Sequence, residues 1–254
     1  MRRSAWLRHC PSMTAVTADV TQPDALAAAV MGASTVIFAA TASASGEPNA
    51  VDNKGLANTA TACIAAGVRR LVVVSGAGVT KDSSPAYGFL NIFGRRMDAK
   101  VAGEDAVRAL YRSSPSSFSC SCSYTVVRPS GLLEGPPKGP GALVVNQGDE
   151  AAGFITRADV AAVCVQAGDA AGAAGATFEV YDAGTAVATA SLSVADILSN
   201  PGLAAVVSMV TGQTWRRQRG GSRGGDADAV VVTARERRGI DYPSLFEGLQ
   251  RDAL

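Results

Sequence analysis

Short apolar runs alternate with stretches of helical periodicity along most of the chain. The apolar runs occupy residues 14–18, 34–40, 70–75, 123–128 and 177–181. The helical patterns between them occupy residues 21–31, 51–66, 87–111 and 156–167. Continuous apolar runs are typical of strands that are covered on both faces, and helices between such strands act as crossovers. The pattern therefore predicts an α/β fold with a parallel sheet.

Residues at the ends of these patterns favour the same boundaries. Pro23 and Asp24 stand in the first turn of the first helix, and Gly67 follows the second helix. Proline and acidic residues favour helix starts, and glycine favours helix ends. Thr156 and Asp159 form a capping-box pattern, in which each side chain can accept a free amide of the first turn.

The pattern weakens beyond Gly184. Residues 216–225 are rich in arginine and glycine, which predicts a flexible linker, and residues 242–249 predict a last helix. We therefore expect one domain over residues 1–184 and a helical C-terminal extension over residues 185–254.

Composition excludes several classes of function. The 254 residues carry 23 basic and 22 acidic side chains, and this balance argues against nucleic acid as a partner despite the arginines of 216–225. His9 is the only histidine, so triads and multi-histidine metal sites have no basis. No apolar run reaches the length of a membrane span, and we expect a soluble protein.

The five cysteines do not form a CxxC pair, which argues against zinc or thioredoxin-type chemistry. Cys63 and Cys164 fall within apolar helical patterns and are expected to pack as small hydrophobic residues. Cys120 and Cys122 lie in a serine-rich run. We interpret them as two exposed thiols in preference to a redox switch.

Several short motifs follow one another in a fixed order. They are Ala18-Asp19-Val20-Thr21, Ile37 to Thr41, Val51 to Gly55, Val72 to Ser75, Lys100 to Arg108, Tyr124 to Leu132 and Ile155 to Ala161. In this order and spacing the sequence resembles the atypical short-chain dehydrogenases/reductases, the NmrA-like proteins with an NAD(P)-binding Rossmann fold. The resemblance is greatest to the plastid branch of plants and algae.

The resemblance implies a Rossmann-like fold and NADP or NAD as the cofactor, without selecting between them. Ligands of such sheets bind at the carboxyl ends of the strands. The family's pattern implies adenine contacts at Asp19 and Val20. Small residues at Ala39, Ala40 and Thr41 would let the backbone approach the ribose and diphosphate. The alternative role for Asp19 is that of an acid at a helix start.

The same resemblance assigns polar roles near the reacting end of the cofactor. Ser75 and Lys100 match the family's serine and lysine, and both are candidate catalytic and cofactor-binding residues. The remaining candidate cofactor contacts are Pro129, Ser130, Gly131 and Leu132. The alternative is that Ser75 caps a turn and that Lys100 is a solvated helix charge.

Two departures from the family's pattern alter these expectations. The family begins with a strand, a glycine-rich turn and a helix whose amides hold the diphosphate. Gly76 and Gly78 are the nearest match, but Lys81 stands where a third glycine is required. We therefore expect an N-terminally incomplete fold, from a truncated gene model or a degenerate paralogue, with an exposed sheet edge, marginal stability and weak dinucleotide binding.

The second departure concerns the proton donor. Reductases of this class place a tyrosine one helical turn before the lysine, and the lysine lowers the pKa of the phenol. Arg96 stands four residues before Lys100, and a guanidinium cannot act as the acid.

Two hypotheses on function follow. The first is an NAD(P)-dependent oxidoreductase that acts on a small carbonyl-type substrate through Ser75 and Lys100. The second is a non-catalytic NAD(P)-binding protein with a redox-sensing or scaffold role, or an inactive truncated paralogue. The resemblance implies the plastid stroma or the cytoplasm as the location, and the oligomeric state stays open.

Overall fold

The computed structural model describes residues 14–43, 45–92, 94–114, 122–189 and 237–253. The elements in chain order are α1 (Pro23–Val30), β1 (Thr35–Phe38), α2 (Leu56–Ala65), β2 (Arg70–Val74), α3 (Pro85–Asn91), α4 (Arg96–Ser113), β3 (Ser123–Pro129), β4 (Gly131–Leu133), β5 (Leu143–Asn146), β6 (Ala151–Ala152), β7 (Phe154–Thr156), α5 (Arg157–Asp169), β8 (Ala176–Asp182), β9 (Val187–Ala188), β10 (Arg237–Arg238) and α6 (Tyr242–Leu245). A π-helix, Asn49–Gly55, runs directly into α2.

The central sheet has six strands in the order β1-β2-β3-β8-β5-β10. The first four strands pair in parallel, whereas β5 and β10 add an antiparallel edge. Two small ribbons, β4-β7 and β6-β9, lie outside this sheet. The predicted parallel α/β fold is confirmed, and the strands β5 and β10 are additions that the apolar runs did not predict.

Helices cover the sheet on both faces. Leu71 and Val73 of β2 pack in one apolar core with residues of α1, α2 and α4, whereas Val72 packs on the opposite face with residues of α5 and α6. Successive residues of a strand point to opposite faces, so a continuous apolar run supplies both cores. This arrangement explains why the parallel strands were visible in the sequence.

Two predicted elements differ from the structure. The predicted strand at residues 14–18 is wrong, because the structure assigns no strand there, and these residues are exposed and pair with none of the described strands. The predicted helix at 87–111 is two helices, α3 and α4, separated at Gly94 and Arg95. Both of these residues have left-handed backbone, with φ of 74° and 57°, which α-helix cannot continue.

The free edge of the sheet is β1. Among the described residues no strand pairs with the side of β1 opposite β2, and Ile37 is 41% exposed. Residues 1–13 and 190–236 lie outside the described ranges, and the predicted uncovered edge stays a prediction. The associated prediction of marginal stability stays a prediction.

The C-terminal residues 237–253 belong to the same sheet and core. Strand β10 pairs with β5, and Leu245 and Phe246 are fully buried in the core beneath α5. The predicted helix at 242–249 is shorter and ends at Leu245. The division of the chain at residue 184 stays a prediction, and the predicted linker at 216–225 lies outside the described residues.

Two smaller predictions are corrected in part. Thr156 accepts the amide of Asp159, as the capping pattern predicts, but the Asp159 carboxylate accepts the amides of Lys138 and Gly139 in a neighbouring loop. Cys63 and Cys164 are buried as expected. Cys122 was expected to be an exposed thiol, but it is buried and forms a disulfide bond. The position of Cys120 lies outside the described residues.

Candidate functional site

The carboxyl ends of the parallel strands carry three loops. They follow β1 at residues 39–43, β2 at residues 75–80 and β3 at Ser130. Ligands of open α/β sheets bind along this edge. The side chains on these loops and on the adjacent helix α4 therefore form the candidate site.

Asp52 links the loop after β1 to helix α4. Its carboxylate is buried, and it pairs with the Lys100 ammonium at 2.9 Å. It also accepts hydrogen bonds from the Thr41 hydroxyl at 2.7 Å and from the Ala42 amide at 3.0 Å. Lys100 is thus held beneath the loop by a fixed anion and is not a solvated helix charge.

The electrostatics of this site favour the ionised form of Asp52. Burial alone would raise the pKa of the Asp52 carboxyl, but the charge of Lys100 and the hydrogen bonds from Ala42 and Thr41 outweigh burial and lower the pKa below its usual range. Asp52 therefore stays ionised at neutral pH and keeps Lys100 in place.

Close packing of two helices brings these residues together. Gly103 of α4 lies against the backbone of Asp52 so closely that a Cβ atom at this position would overlap the Asp52 carbonyl oxygen. Gly55 likewise leaves room for Val20, whose Cγ2 would be 2.6 Å from an added Cβ. Glycine at both positions lets α4 and the loop before α1 approach the π-helix.

Arg96 lies one helical turn before Lys100 and reaches over the same loop. Its Nη1 donates to the Thr41 hydroxyl at 2.7 Å and to the Ala42 carbonyl at 2.8 Å, and its Nη2 donates to the Ser43 carbonyl at 3.3 Å. The position that the family's pattern gives to a tyrosine is therefore occupied by a guanidinium fixed on the strand-end loop.

Ser75 directly follows β2 and lies next to Glu104 of α4, one turn beyond Lys100. Its hydroxyl oxygen is enclosed and lies beside the Glu104 carboxylate, whose pKa it helps to lower. The structure thus brings Ser75 and Lys100 to one face of α4. The role of the Ser75 hydroxyl in binding a substrate carbonyl stays a prediction.

Glu104 belongs to a buried ionic network behind the site. Arg128 contacts the Glu104 carboxylate at 2.6 Å and that of Glu179 at 3.2 Å, and Arg108 contacts Glu104 at 2.9 Å. Burial alone would raise the pKa of Glu104, but the two arginines outweigh burial and lower it. Burial and the nearby Asp149 carboxylate raise the pKa of Glu179 to about 7.

Asp149 occupies the glycine loop after β2. Its buried carboxylate accepts the amides of Gly78 at 2.5 Å and Thr80 at 2.9 Å, together with the Thr80 hydroxyl at 2.8 Å. Asp149 itself has left-handed backbone with a φ of 58°. These amides are already bonded to a protein carboxylate, so this loop is not a phosphate-binding turn.

Most of the predicted cofactor-contact residues at the end of β3 form backbone hydrogen bonds within the protein. The Pro129 carbonyl accepts the Ala77 amide at 3.0 Å, and the Ser130 amide donates to the Val180 carbonyl at 3.2 Å. Gly131 and Leu132 pair with β7 in the small ribbon β4-β7. The hydroxyl oxygen of Ser130 is buried without a partner among the described residues. A cofactor contact at these positions stays a prediction.

Asp19 and Val20 lie at the start of α1, next to the π-helix. The exposed Asp19 carboxylate accepts the Thr21 amide and hydroxyl, both at 2.8 Å, and these hydrogen bonds lower its pKa. The Val20 carbonyl accepts the Asn58 side chain at 3.1 Å. A shallow cavity of about 280 Å³ adjoins this turn, and Lys54 is its charged lining residue.

The described tyrosines near α4 do not share the face of Lys100. The Tyr87 hydroxyl donates to Asp98 at 2.5 Å, and burial with the Asp98 carboxylate raises its pKa. Tyr111 is buried in the core near the far end of α4. Among the described residues there is also no cluster of three or more potential metal ligands, and no helix long and apolar enough to cross a membrane.

The sequence reasoning did not assign Asp52 or Asp149. A signal for Asp52 was present, because the motif Val51 to Gly55 is one of those that match the family. It places an acid inside an apolar helical pattern. For Asp149 the signal was weaker, because a Gln-Gly-Asp turn is typical of many loops. Asp149 binds a loop about 70 residues away, and Asp52 pairs with Lys100 on another helix, and local patterns do not report such contacts.

The loop after β1 fits a bound dinucleotide. Ala39 and Thr41 are exposed, and Ala40 is partly exposed, so small side chains leave the backbone accessible to a ligand. The glycine loop after β2 does not offer free amides for a diphosphate, because the amides of Gly78 and Thr80 already donate to Asp149. The candidate residues for contact with a dinucleotide are therefore those of the loop after β1, together with Lys100 and Arg96.

Comparison with known proteins gives one family. A model for NAD(P)H-binding proteins matches residues 2–170 of the chain. Over 169 residues the chain is 36% identical to an uncharacterized chloroplastic protein of Arabidopsis thaliana, and the match covers 62% of this chain and 56% of that protein. The chain thus spans little more than half the length of this relative.

Solved structures with the same fold support this result. An NAD-dependent epimerase/dehydratase of Bacillus halodurans is 25% identical, with a TM-score of 0.52 over 66% of this chain and 72% of that chain. The oxidoreductase ylbE of Lactococcus lactis is 19% identical, with a TM-score of 0.53 over 81% and 80% of the two chains. The second similarity concerns the fold alone.

Proposed function

Because the chain belongs to the NAD(P)H-binding family, we propose that it is an oxidoreductase that binds NADP or NAD along the loop after β1 and reduces a small carbonyl-type substrate. The observation that carries the proposal is the fixed position of Lys100, which Asp52 holds beneath Thr41 and Ala42. A buried ion pair is costly unless further hydrogen bonds support it, and here Thr41 and Ala42 also donate to the Asp52 carboxylate.

The chain's residues have separate roles in this proposal. Ala39 and Ala40 leave the backbone open to the ribose, and Thr41 presents a polar side chain next to them. Lys100 contributes a positive charge and hydrogen bonds near the reacting end of the ligand, and Asp52 is its positioning residue. When it is bound, the reduced dinucleotide supplies the hydride.

The proton for the reduced oxygen comes from water in this proposal. A phenol does not accompany Lys100 on its helix face, because Arg96 takes that position. A guanidinium has no acidic role at neutral pH. We therefore expect slow turnover relative to reductases that carry the tyrosine, since a positioned acid typically contributes a factor of about 10² to 10⁴.

A direct test measures NADPH oxidation over a panel of aldehydes, quinones and ketones, together with calorimetric binding of NADPH and NADH. Lys100→Met should lower turnover by about a hundredfold. Arg69→Met should leave it unchanged, because Arg69 directly precedes β2 at the opposite, amino-terminal edge of the sheet and pairs there with the exposed Asp169. Equal losses in the two variants would contradict the assignment of Lys100.

A second candidate is a non-catalytic NAD(P)H-binding protein. It is favoured by the same two facts, that the Lys100 amine is engaged by Asp52 and that an arginine replaces the tyrosine. Calorimetry separates the candidates, because this one requires dinucleotide binding without turnover on any substrate of the panel. For the location we propose the plastid, on the basis of the chloroplastic relative.

A further inference from the structure

The side chains around the β1 loop carry an unbalanced positive charge. Lys100 and Arg96 contribute two cations, and Asp52 is the one carboxylate among the described residues that bonds to this group. The Asp52 Oδ1 atom accepts from Thr41 and contacts the Lys100 ammonium, and Oδ2 accepts from the Ala42 amide, so the single negative charge of Asp52 is paired with Lys100. It therefore neutralises Lys100 and leaves the charge of Arg96 uncompensated.

The partners of Arg96 are all neutral. Its described hydrogen bonds reach the Thr41 hydroxyl and the carbonyl oxygens of Ala42 and Ser43. Within the described ranges no carboxylate forms an ion pair with it. Neighbouring Arg95 shows the contrast, since its Nε pairs with Asp98 at 2.7 Å.

The guanidinium is also held in place. Three oxygens on one loop orient it, and the Thr41 hydroxyl that accepts from it donates in turn to Asp52. The Nε atom has no described acceptor, which leaves donors available to a ligand. A planar guanidinium with free donors matches the oxygens of a carboxylate or phosphate in geometry and charge. Its orientation is set before a ligand arrives, so little side-chain entropy is lost on binding.

We propose that Arg96 makes the loop after β1 an anion-binding subsite, which takes a phosphate or carboxylate oxygen of the ligand bound at this edge. The position that serves proton donation in the family's pattern serves charge recognition in this chain. The identity of the natural ligand rests on the proposed function. It is either the diphosphate of the dinucleotide or an acidic group on the carbonyl substrate.

The primary experiment is titration calorimetry of the full chain with inorganic pyrophosphate. Arg96→Gln keeps a polar side chain and removes the charge, and it should weaken pyrophosphate binding by about ten- to a hundredfold, the range of a charged hydrogen-bond pair. Arg96→Lys should give an intermediate loss, because it keeps the charge but not the fork. The melting temperature of each variant verifies that it is folded.

The matched control is Arg95→Gln. It removes the same charge one residue away, from a side chain that is 83% exposed and paired with Asp98. We expect its pyrophosphate affinity to equal that of the wild type. Equal weakening in Arg95→Gln and Arg96→Gln would overturn the proposal, because it would indicate general surface charge. Absence of pyrophosphate binding to the folded wild type would also overturn it.

A second arm identifies the source of the anion. If the diphosphate of the dinucleotide occupies the subsite, saturating NADPH should abolish pyrophosphate binding. If a substrate acid occupies it, pyrophosphate should still bind to the NADPH complex. A wild type that binds pyrophosphate through Arg96 but binds neither NADPH nor NADH would refute the proposed function and leave the subsite standing.

Discussion

Two groups of charged side chains meet at the same sheet edge, and they differ in balance. The group around Arg128 is closed, because the buried Glu104 and Glu179 are paired with Arg128 and Glu104 also with Arg108. The group around Arg96 is open, because Asp52 pairs with Lys100 and Arg96 has no described carboxylate partner. A saturated buried network stabilises the fold, whereas a partly exposed charge without a counter-ion is available to a ligand. The predictions below separate these two roles.

The largest effect is expected in the closed group. Arg128→Met removes the cation that lies between two buried carboxylates, and it should lower the free energy of unfolding by about 3 to 5 kcal/mol. Urea denaturation measures this change. Arg128→Lys keeps the charge and should lose less. A loss below about 1 kcal/mol for Arg128→Met would show that the network does not support the fold.

Lys100→Met is expected to lower the free energy of unfolding by about 2 kcal/mol, because Asp52 then remains buried without its cation. The Thr41 and Ala42 hydrogen bonds continue to stabilise the carboxylate and limit the loss. The double variant Lys100→Met with Asp52→Asn should recover part of it in urea denaturation. A double variant less stable than Lys100→Met alone would contradict the assigned pairing.

The pH dependence of stability distinguishes the acids. Glu179 has its pKa raised to about 7 in the folded protein, so the folded state binds the proton more tightly than the unfolded state. Stability from this group is present below the unfolded pKa of 4.5 and is lost as the pH rises through about 7. Asp52 and Glu104 act in the opposite direction, and their lowered pKa values reduce stability in acid.

Thermal melts from pH 4 to pH 9 measure this dependence, and Glu179→Gln is the matched variant. We expect the wild type to melt at a lower temperature at pH 8 than at pH 5.5, and the variant to lose most of that decrease. An unchanged decrease in Glu179→Gln would assign the effect to another group.

A surface pair provides the smallest expected effect. Arg69 and Asp169 are 2.5 Å apart, but their side chains are 44% and 81% exposed. Water screens such pairs, so Arg69→Gln should change the free energy of unfolding by less than about 0.5 kcal/mol. A change as large as that of Lys100→Met would invalidate the use of burial to rank these interactions.

The sequence predicted the parallel strands and the helices because their apolar runs are local. The sequence did not predict the break between α3 and α4 or the π-helix that precedes α2. Both depend on backbone geometry that the apolar pattern does not encode. Gly94 with Arg95 forms the first of these, and the π-helix Asn49–Gly55 forms the second. The antiparallel strands β5 and β10 were missed because they are short and join partners distant in sequence.

The candidate site was predicted only in outline. Ser75, Thr41 and Lys100 were identified from the resemblance, and the structure places all three at one sheet edge near α4. The partners that give them their environment, Asp52 and Glu104, come from other elements. Local sequence reasoning names residue types at strand ends, but the balance of charge among them depends on tertiary packing.

The wide turn of the π-helix has a consequence for how this region tolerates changes in chain length. The Leu56 amide bonds to the Val51 carbonyl five residues earlier, so the turn holds one residue more than an α-helix would. Deleting one residue between Asp52 and Leu56 would restore regular α-helix at almost no local cost. It would also rotate the preceding turn by about 100° relative to α2 and carry Asp52 away from the loop after β1. The extra residue thus works as a spacer, and its loss would leave a well-formed helix whose acid no longer reaches Lys100.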